Sequence, residues 1–262
     1  MEKIKNYANL WRQTMNTVYI LWLRQLKRYL RSRSRIIGAL GQPLLFIVAF
    51  GFGFGAIFAR AGAGNYMNFL IPGIIGQSIL FTAISSGIDL IWDRQFGFLK
   101  ETLAAPVSRF AIFFGRTLGG ATVATIQGII VLALSFIVKF QPFSLTYTLI
   151  AILAMFLISL LFTALGTAMA AKMEDFHGFQ LIMNFLVMPL FFLSGALFPL
   201  DSMPKALNII AKFNPLTYGV DLLRGLLTNI WHFNMSLDLL ILAGLTAFLL
   251  LLGSFLFSQI EV

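Results

Sequence analysis

DRQFGFLKETLAAPVSRFAIFFGR, residues 93–116, is a charged island between two long apolar runs. It carries four cations (Arg94, Lys100, Arg109, Arg116) and two anions (Asp93, Glu101). The pattern predicts a short helix, 93–109, lying at a membrane surface. Phe96, Phe98, Leu99 and Leu103 are expected on its inward face, with Arg94, Lys100 and Glu101 facing out. Pro106 is expected to break it, because proline lacks the amide proton and clashes with the preceding turn.

The runs on either side decide the fold class. Of 262 residues, 59% are hydrophobic and 11% are charged, whereas a water-facing domain carries roughly 25% charged residues. Apolar runs of more than 18 residues recur, which is the signature of transmembrane helices, and the period-2 alternation of a membrane barrel is absent. The expectation is an all-α membrane protein with six spans, near Ile36–Ala59, Phe69–Trp92, Thr117–Val138, Leu145–Ala171, Phe179–Leu200 and Leu239–Ile260. At ~1.5 Å per residue such runs cover a hydrocarbon core of about 30 Å.

Residues 1–35 hold nine of the 19 Lys and Arg residues against one acid, Glu2. Trp11, Met15, Val18, Tyr19, Trp22, Leu23, Leu26 and Tyr29 recur there at helical spacing. This predicts an N-terminal amphipathic helix lying at the interface, cations toward lipid phosphate, ahead of a 36–262 transmembrane domain. With that end in the cytoplasm, 14 of the 19 cations fall on the inner side, so both termini and the 93–109 island are expected inside. Membrane topology therefore accounts for the net charge of +9, and no nucleic-acid partner is expected.

Polar residues within the expected spans are sparse. Asp89 is the one acid placed there, a functional candidate by default, one turn from the cytoplasmic end where Arg94 could neutralise it. Glycines spaced for close helix approach occur at Gly51 and Gly55 and at Gly115 and Gly119. Before the last span, Pro199 and Pro204 bracket a turn, and Ser202 or Asp201 is expected to cap the helix that follows. Asn214-Pro215 should end that helix and start another. Its apolar face would be Leu216, Val220, Leu223 and Leu227, and Asp221 would pair with Arg224 at i,i+3. Such short segments, 198–227, should dip into or lie on the outer leaflet as an external gate.

No phosphate-binding GxxxxGK[ST] loop, G-x-S-x-G elbow or H-E-x-x-H motif is present. Cysteine is absent, which excludes thiolate metal sites. The Glu174-Asp175-His177 cluster reads as solvated, and catalysis by this chain is not expected.

Two stretches carry a family resemblance. Arg94-Gln95-Phe96-Gly97-Phe98-Leu99-Lys100-Glu101-Thr102-Leu103-Ala104-Ala105-Pro106-Val107-Ser108-Arg109 resembles the coupling-helix motif of type-2 ABC exporter permeases. Phe192–Leu200 together with Asn214–Gly225 resembles that family's signature before its last span. The likeness covers essentially the whole chain and is closest to the daunorubicin-resistance type of drug exporter permease, with polysaccharide and teichoic-acid permeases sharing the plan. It implies a non-catalytic transport subunit in the prokaryotic cytoplasmic membrane. Two separate ATPase subunits would bind ATP and magnesium, and a second permease copy or a paralogue would complete the complex. It further implies ATPase contacts at Arg94, Gly97, Lys100, Glu101, Pro106 and Arg109, and an external gate containing Pro199, Asn214, Pro215, Tyr218, Asp221 and Arg224. The apolar, aromatic lining of the implied path suits a lipid-like or amphipathic drug. A secondary transporter without an ATPase partner is the contrasting reading, for which repeats or midplane charges would be the signature.

Overall fold

A computed structural model describes residues 2–53, 55 and 65–260, and for residues 2–13 the backbone alone. The expected end of the first span near Ala59, with Arg60, and the side chain of Trp11 lie outside the described residues. The described chain is helical: α1 (Glu2–Arg31), α2 (Arg33–Phe46), α3 (Tyr66–Ser85), α4 (Ile88–Gln95), α5 (Phe98–Ala104), α6 (Arg109–Ser135), α7 (Leu145–Lys172), α8 (Phe176–Phe192), α9 (Lys205–Phe213), α10 (Pro215–Thr228) and α11 (Met235–Ser258).

Among the described residues five helical stretches are long and apolar enough to cross a membrane: Arg33–Phe52, Tyr66–Gln95, Arg109–Val138, Leu145–Lys172 and Met235–Ser258. The fifth of the six expected spans, Phe179–Leu200, is shorter. Helix α8 has 17 residues, or about 25 Å at ~1.5 Å per residue. It stops at Phe192 instead of Leu200, because Gly195 turns the chain at φ 74°.

Two spans are irregular for local reasons. Pro43 lies inside α2 and cannot donate to the helical ladder, and the helix continues as a π turn over Ile47–Phe52. The second span breaks at Ser86-Gly87 into α3 and α4. Gly87 there lies so close to the Gly166 carbonyl of α7 that a Cβ would collide with its oxygen. The core forms where α3, α6 and α7 meet, and Leu70, Ile74, Ile75, Ile79, Met155 and Phe162 are fully enclosed there.

The N-terminal helix, expected at the membrane interface, is packed on the bundle. Its second half packs along α6 in parallel register: Gly115 meets Val18 and Leu21, and Gly119 meets Trp22 and Gln25. Trp22 Nε1 donates to Thr122 at 2.9 Å, and the Tyr29 hydroxyl donates to Gln127 Oε1 at 2.8 Å. Small residues on α6 allow this approach, and the buried amide of Gln127 rewards it. Met15 and Tyr19, read as part of one apolar face with Trp22 and Tyr29, instead point away from the protein.

Candidate functional site

The bundle has a basic end, where α1, α4, α5 and α6 meet, and a far end built by α9 and α10. At the basic end the island is not one helix. Asp93–Gln95 closes α4, Gly97 turns the chain at φ 81°, and α5 is only seven residues long. Ala105–Ser108 is irregular, and the Ser108 hydroxyl caps α6 by accepting from Ala111 N at 3.2 Å. A left-handed turn is what glycine supplies at no steric cost.

The six expected contact residues divide into two sets. Lys100, Glu101 and Pro106 are exposed, and Gly97 is half-buried at the turn. Arg94 does not face out: it donates to the carbonyls of Met173 (2.8 Å) and Ala171 (3.0 Å), tying α4 to the end of α7. Arg109 donates to the Ile260 carbonyl at 2.7 Å and fastens the chain's last described residue to α6. The aromatics also depart from expectation. Leu99 is fully buried, but Phe96 is 65% and Phe98 50% exposed. Phe96 stacks on Trp92, which in turn meets Phe176 of α8. The outer surface of the island is therefore an aromatic platform flanked by Lys100 and Glu101.

Beneath it lies a charge network. Asp93 is buried and faces three guanidinium groups: Arg116 at 2.5 Å, Arg24 at 2.9 Å and Arg28 at 3.2 Å. Asp89 is neutralised by Arg28 and Arg35, each at 3.4 Å, and not by Arg94. The network joins α1, the start of α2, α4 and α6. Spacing is the signal that could have found it. Arg24 and Arg28 are four apart, as are Asp89 and Asp93, so two helices present matching charge pairs one turn apart.

At the far end α10 is enclosed on every side: Leu216, Val220, Leu223 and Leu227 are fully buried, and Tyr218, Asp221 and Arg224 nearly so. Its polar groups are satisfied by backbone. Asp221 accepts from the amides of His232 (2.9 Å) and Phe233 (2.8 Å), while Arg224 donates to the carbonyls of Gly195 (2.9 Å) and Phe69 (3.3 Å). The expected Asp221–Arg224 ion pair is replaced by these bonds. Tyr218 donates to the Lys212 carbonyl, and Asn214 caps α10 through Leu216 N and donates to the Leu190 carbonyl. Pro215 occupies the first turn of α10, where a missing amide proton costs nothing. Pro199 precedes a 3-10 turn over Leu200–Ser202, and α9 starts after Pro204 with no side-chain cap, so neither Asp201 nor Ser202 caps it. An open cavity of about 350 Å³ lies here, with Pro199, Asp221, Arg224 and Trp231 in its wall.

Among the described residues no three metal-ligating side chains cluster, and Asp175 spends its carboxylate capping α8 at Gly178 N.

This helical plan matches the family model described as ABC-2 type transporter across residues 16–228. The chain belongs to the ABC-2 type transporter family. It is 33% identical over 221 residues to the putative transport permease ycf38 of Cyanophora paradoxa, covering 81% of this chain and 74% of that protein. It is 28% identical to nodulation protein J of Rhizobium leguminosarum bv. trifolii, over 84% of this chain and 80% of that one. The inner membrane transport permease YadH of Escherichia coli K12 is 26% identical, over 76% and 78%. The match to the ABC-2 family spans α6, α10 and the second half of α1, so the charge network and the far-end cap both fall inside it.

Proposed function

We propose that this ABC-2 chain is the membrane-spanning subunit of an ATP-driven exporter, docking a separate ATPase on the 93–109 island. The observation that carries this reading is the exposed platform of Phe96, Phe98, Lys100, Glu101 and Pro106. It crowns two helices, α4 and α6, that Asp93 and Arg116 clamp together. A soluble partner that grips the platform gains apolar burial at about 25 cal/mol per Å², and any movement of that partner is passed directly to two spans. Arg94 and Arg109 support the contact by fixing the platform's two ends to the bundle.

In the complete transporter two ATPase subunits and a second permease, identical or paralogous, assemble in the cytoplasmic membrane with both termini inside. ATP and magnesium sit on the ATPases, whose closure displaces both platforms and switches the dimer between inward and outward access. The far-end cap, with Pro199, Asn214, Pro215, Tyr218, Asp221 and Arg224, acts as the outer gate. Helix α2, the π turn after it and helix α8 leave Ile37, Leu45, Val48, Leu181 and Phe185 uncovered. That apolar surface suits passage of an amphipathic or lipid-like substrate between the two permease copies.

The test is ATPase activity in liposomes, with the ATPase subunit alone and then with this chain. Stimulation by the wild-type chain and its loss in Glu101→Arg, with insertion unchanged, is the expected result. An ATPase that neither binds nor responds overturns the reading.

A further inference from the structure

Helix α11 starts at Met235 and so brings an acid, Asp238, into the last span. Asp238 is fully buried, and neither of its oxygens has a hydrogen-bond partner among the described residues. A charged carboxylate so placed is unfavourable unless it is paired or hydrogen-bonded. Asp221 of α10, itself 2% exposed, lies next to it where α10 packs against α11. Both Asp221 oxygens already accept backbone protons from His232 and Phe233, which fixes Asp221 as the carboxylate of the two. Two acceptors therefore face one another with no donor between them, and a proton on Asp238 completes the bond.

We propose that Asp238 and Asp221 form a buried proton-binding site in which Asp238 holds the proton and donates it to the Asp221 carboxylate. The bond fastens the first turn of α11 to α10. Neighbouring groups do not supply a competing cation. Helix α10 offers Tyr218, whose hydroxyl is bound to the Lys212 carbonyl, and Arg224, which is spent on Gly195 and Phe69. Helix α7 carries only Tyr147 and Lys172 as titratable groups, α6 only Arg109 and Arg116, and both of those arginines are engaged at the basic end. In the connection before α11, His232 lies 3.5 Å from Asp201. The helix N-terminus favours an ionised acid in its first turn, but an enclosed carboxylate beside a second one is the worse alternative. A metal ion is poorly matched, since Asp221 directs its oxygens at amide protons and no third ligand joins the pair among the described residues.

The site is tested on the purified chain in lipid nanodiscs, with no ATPase required. Infrared spectra of the chain labelled with 13C-aspartate separate its aspartates from its glutamates. At neutral pH a free aspartate, with a pKa of about 3.9, is ionised, so a protonated aspartic acid band there marks a perturbed group. The expected result is such a band, abolished in Asp238→Asn. Absence of the band from the wild-type chain, or its survival in Asp238→Asn, overturns the site. If Asp238→Asn does not fold, Asp221→Asn decides: exchanging the acceptor from carboxylate to amide should shift the band, and an unshifted band overturns the site. The thermal midpoint gives a second readout. It should fall as pH rises in the wild type, where the stabilising proton is lost, and that slope should be missing in Asp238→Asn.

Discussion

Arg116 of α6 and Asp93 of α4 meet at 2.5 Å with side chains 4% and 3% exposed, the most enclosed ion pair among the described residues. The two partners are not equivalent. Asp93 has two further guanidinium groups within 3.2 Å, whereas Arg116 has hydrogen-bonded contact with Asp93 alone and its Nε is unpartnered. Removing the acid strands a buried cation, while removing the arginine leaves the acid still paired.

The two substitutions should therefore differ. Asp93→Asn is expected to cost about 3–5 kcal/mol, the range for an orphaned buried charge. Arg116→Met should cost roughly 1.5–3 kcal/mol, the worth of one charged hydrogen bond. Thermal unfolding in detergent reads the order directly, and a larger loss in Arg116→Met would contradict it.

Docking of α1 rests on a steric allowance. A Cβ on Gly119 would lie 2.7 Å from Gln25 Cβ, so Gly119→Ile should push α1 off α6 while the spans still insert. The chain has no native cysteine, which gives a clean assay. A Cβ at Gly115 would lie 3.2 Å from Leu21 Cβ, near the ~3.8 Å of a disulfide. Leu21→Cys with Gly115→Cys is expected to crosslink on oxidation, and adding Gly119→Ile should abolish the crosslink.

Apolar run length identifies the helices that enter a membrane, since nothing in lipid competes with helix for satisfying the backbone. The Gly97 turn and the Asn214-Pro215 junction are legible too, because left-handed φ and capping are local chemistry. What a helical face packs against is not local. Tyr29 reads as a headgroup aromatic until Gln127, 98 positions away, is found beside it. Asp221 and Arg224 read as an i,i+3 pair until backbone partners from other segments claim both. Asp238 escaped notice because four extra residues at the start of α11 moved it from a loop into a helix.

Asn214 joins two roles that substitutions can separate. Its Oδ1 accepts from Leu216 N, and its Nδ2 donates to the Leu190 carbonyl at 2.6 Å. Asp, an equally good capping residue, keeps the first bond and loses the second. Asn214→Asp should therefore cost about 1–3 kcal/mol for the unsatisfied buried carbonyl, and Asn214→Ala should add about 1 kcal/mol for the cap. A neutral Asn214→Asp in thermal unfolding would show that the Leu190 bond contributes nothing.

Gly97 tests the platform through its backbone. A Cβ there meets nothing within 4 Å, so space is not the constraint; the φ of +81° is. Alanine at a left-handed position costs about 1–2 kcal/mol, whereas proline, fixed near φ −65°, cannot adopt it at all. Gly97→Pro must therefore redirect α5 relative to α4, while the crosslink between positions 21 and 115 still reports an intact bundle. The expected outcome is loss of ATPase stimulation and of export in Gly97→Pro, with Gly97→Ala intermediate. Normal export by Gly97→Pro with the crosslink retained would mean that the direction of α5 is irrelevant to coupling, and the platform would have to be abandoned as the docking surface.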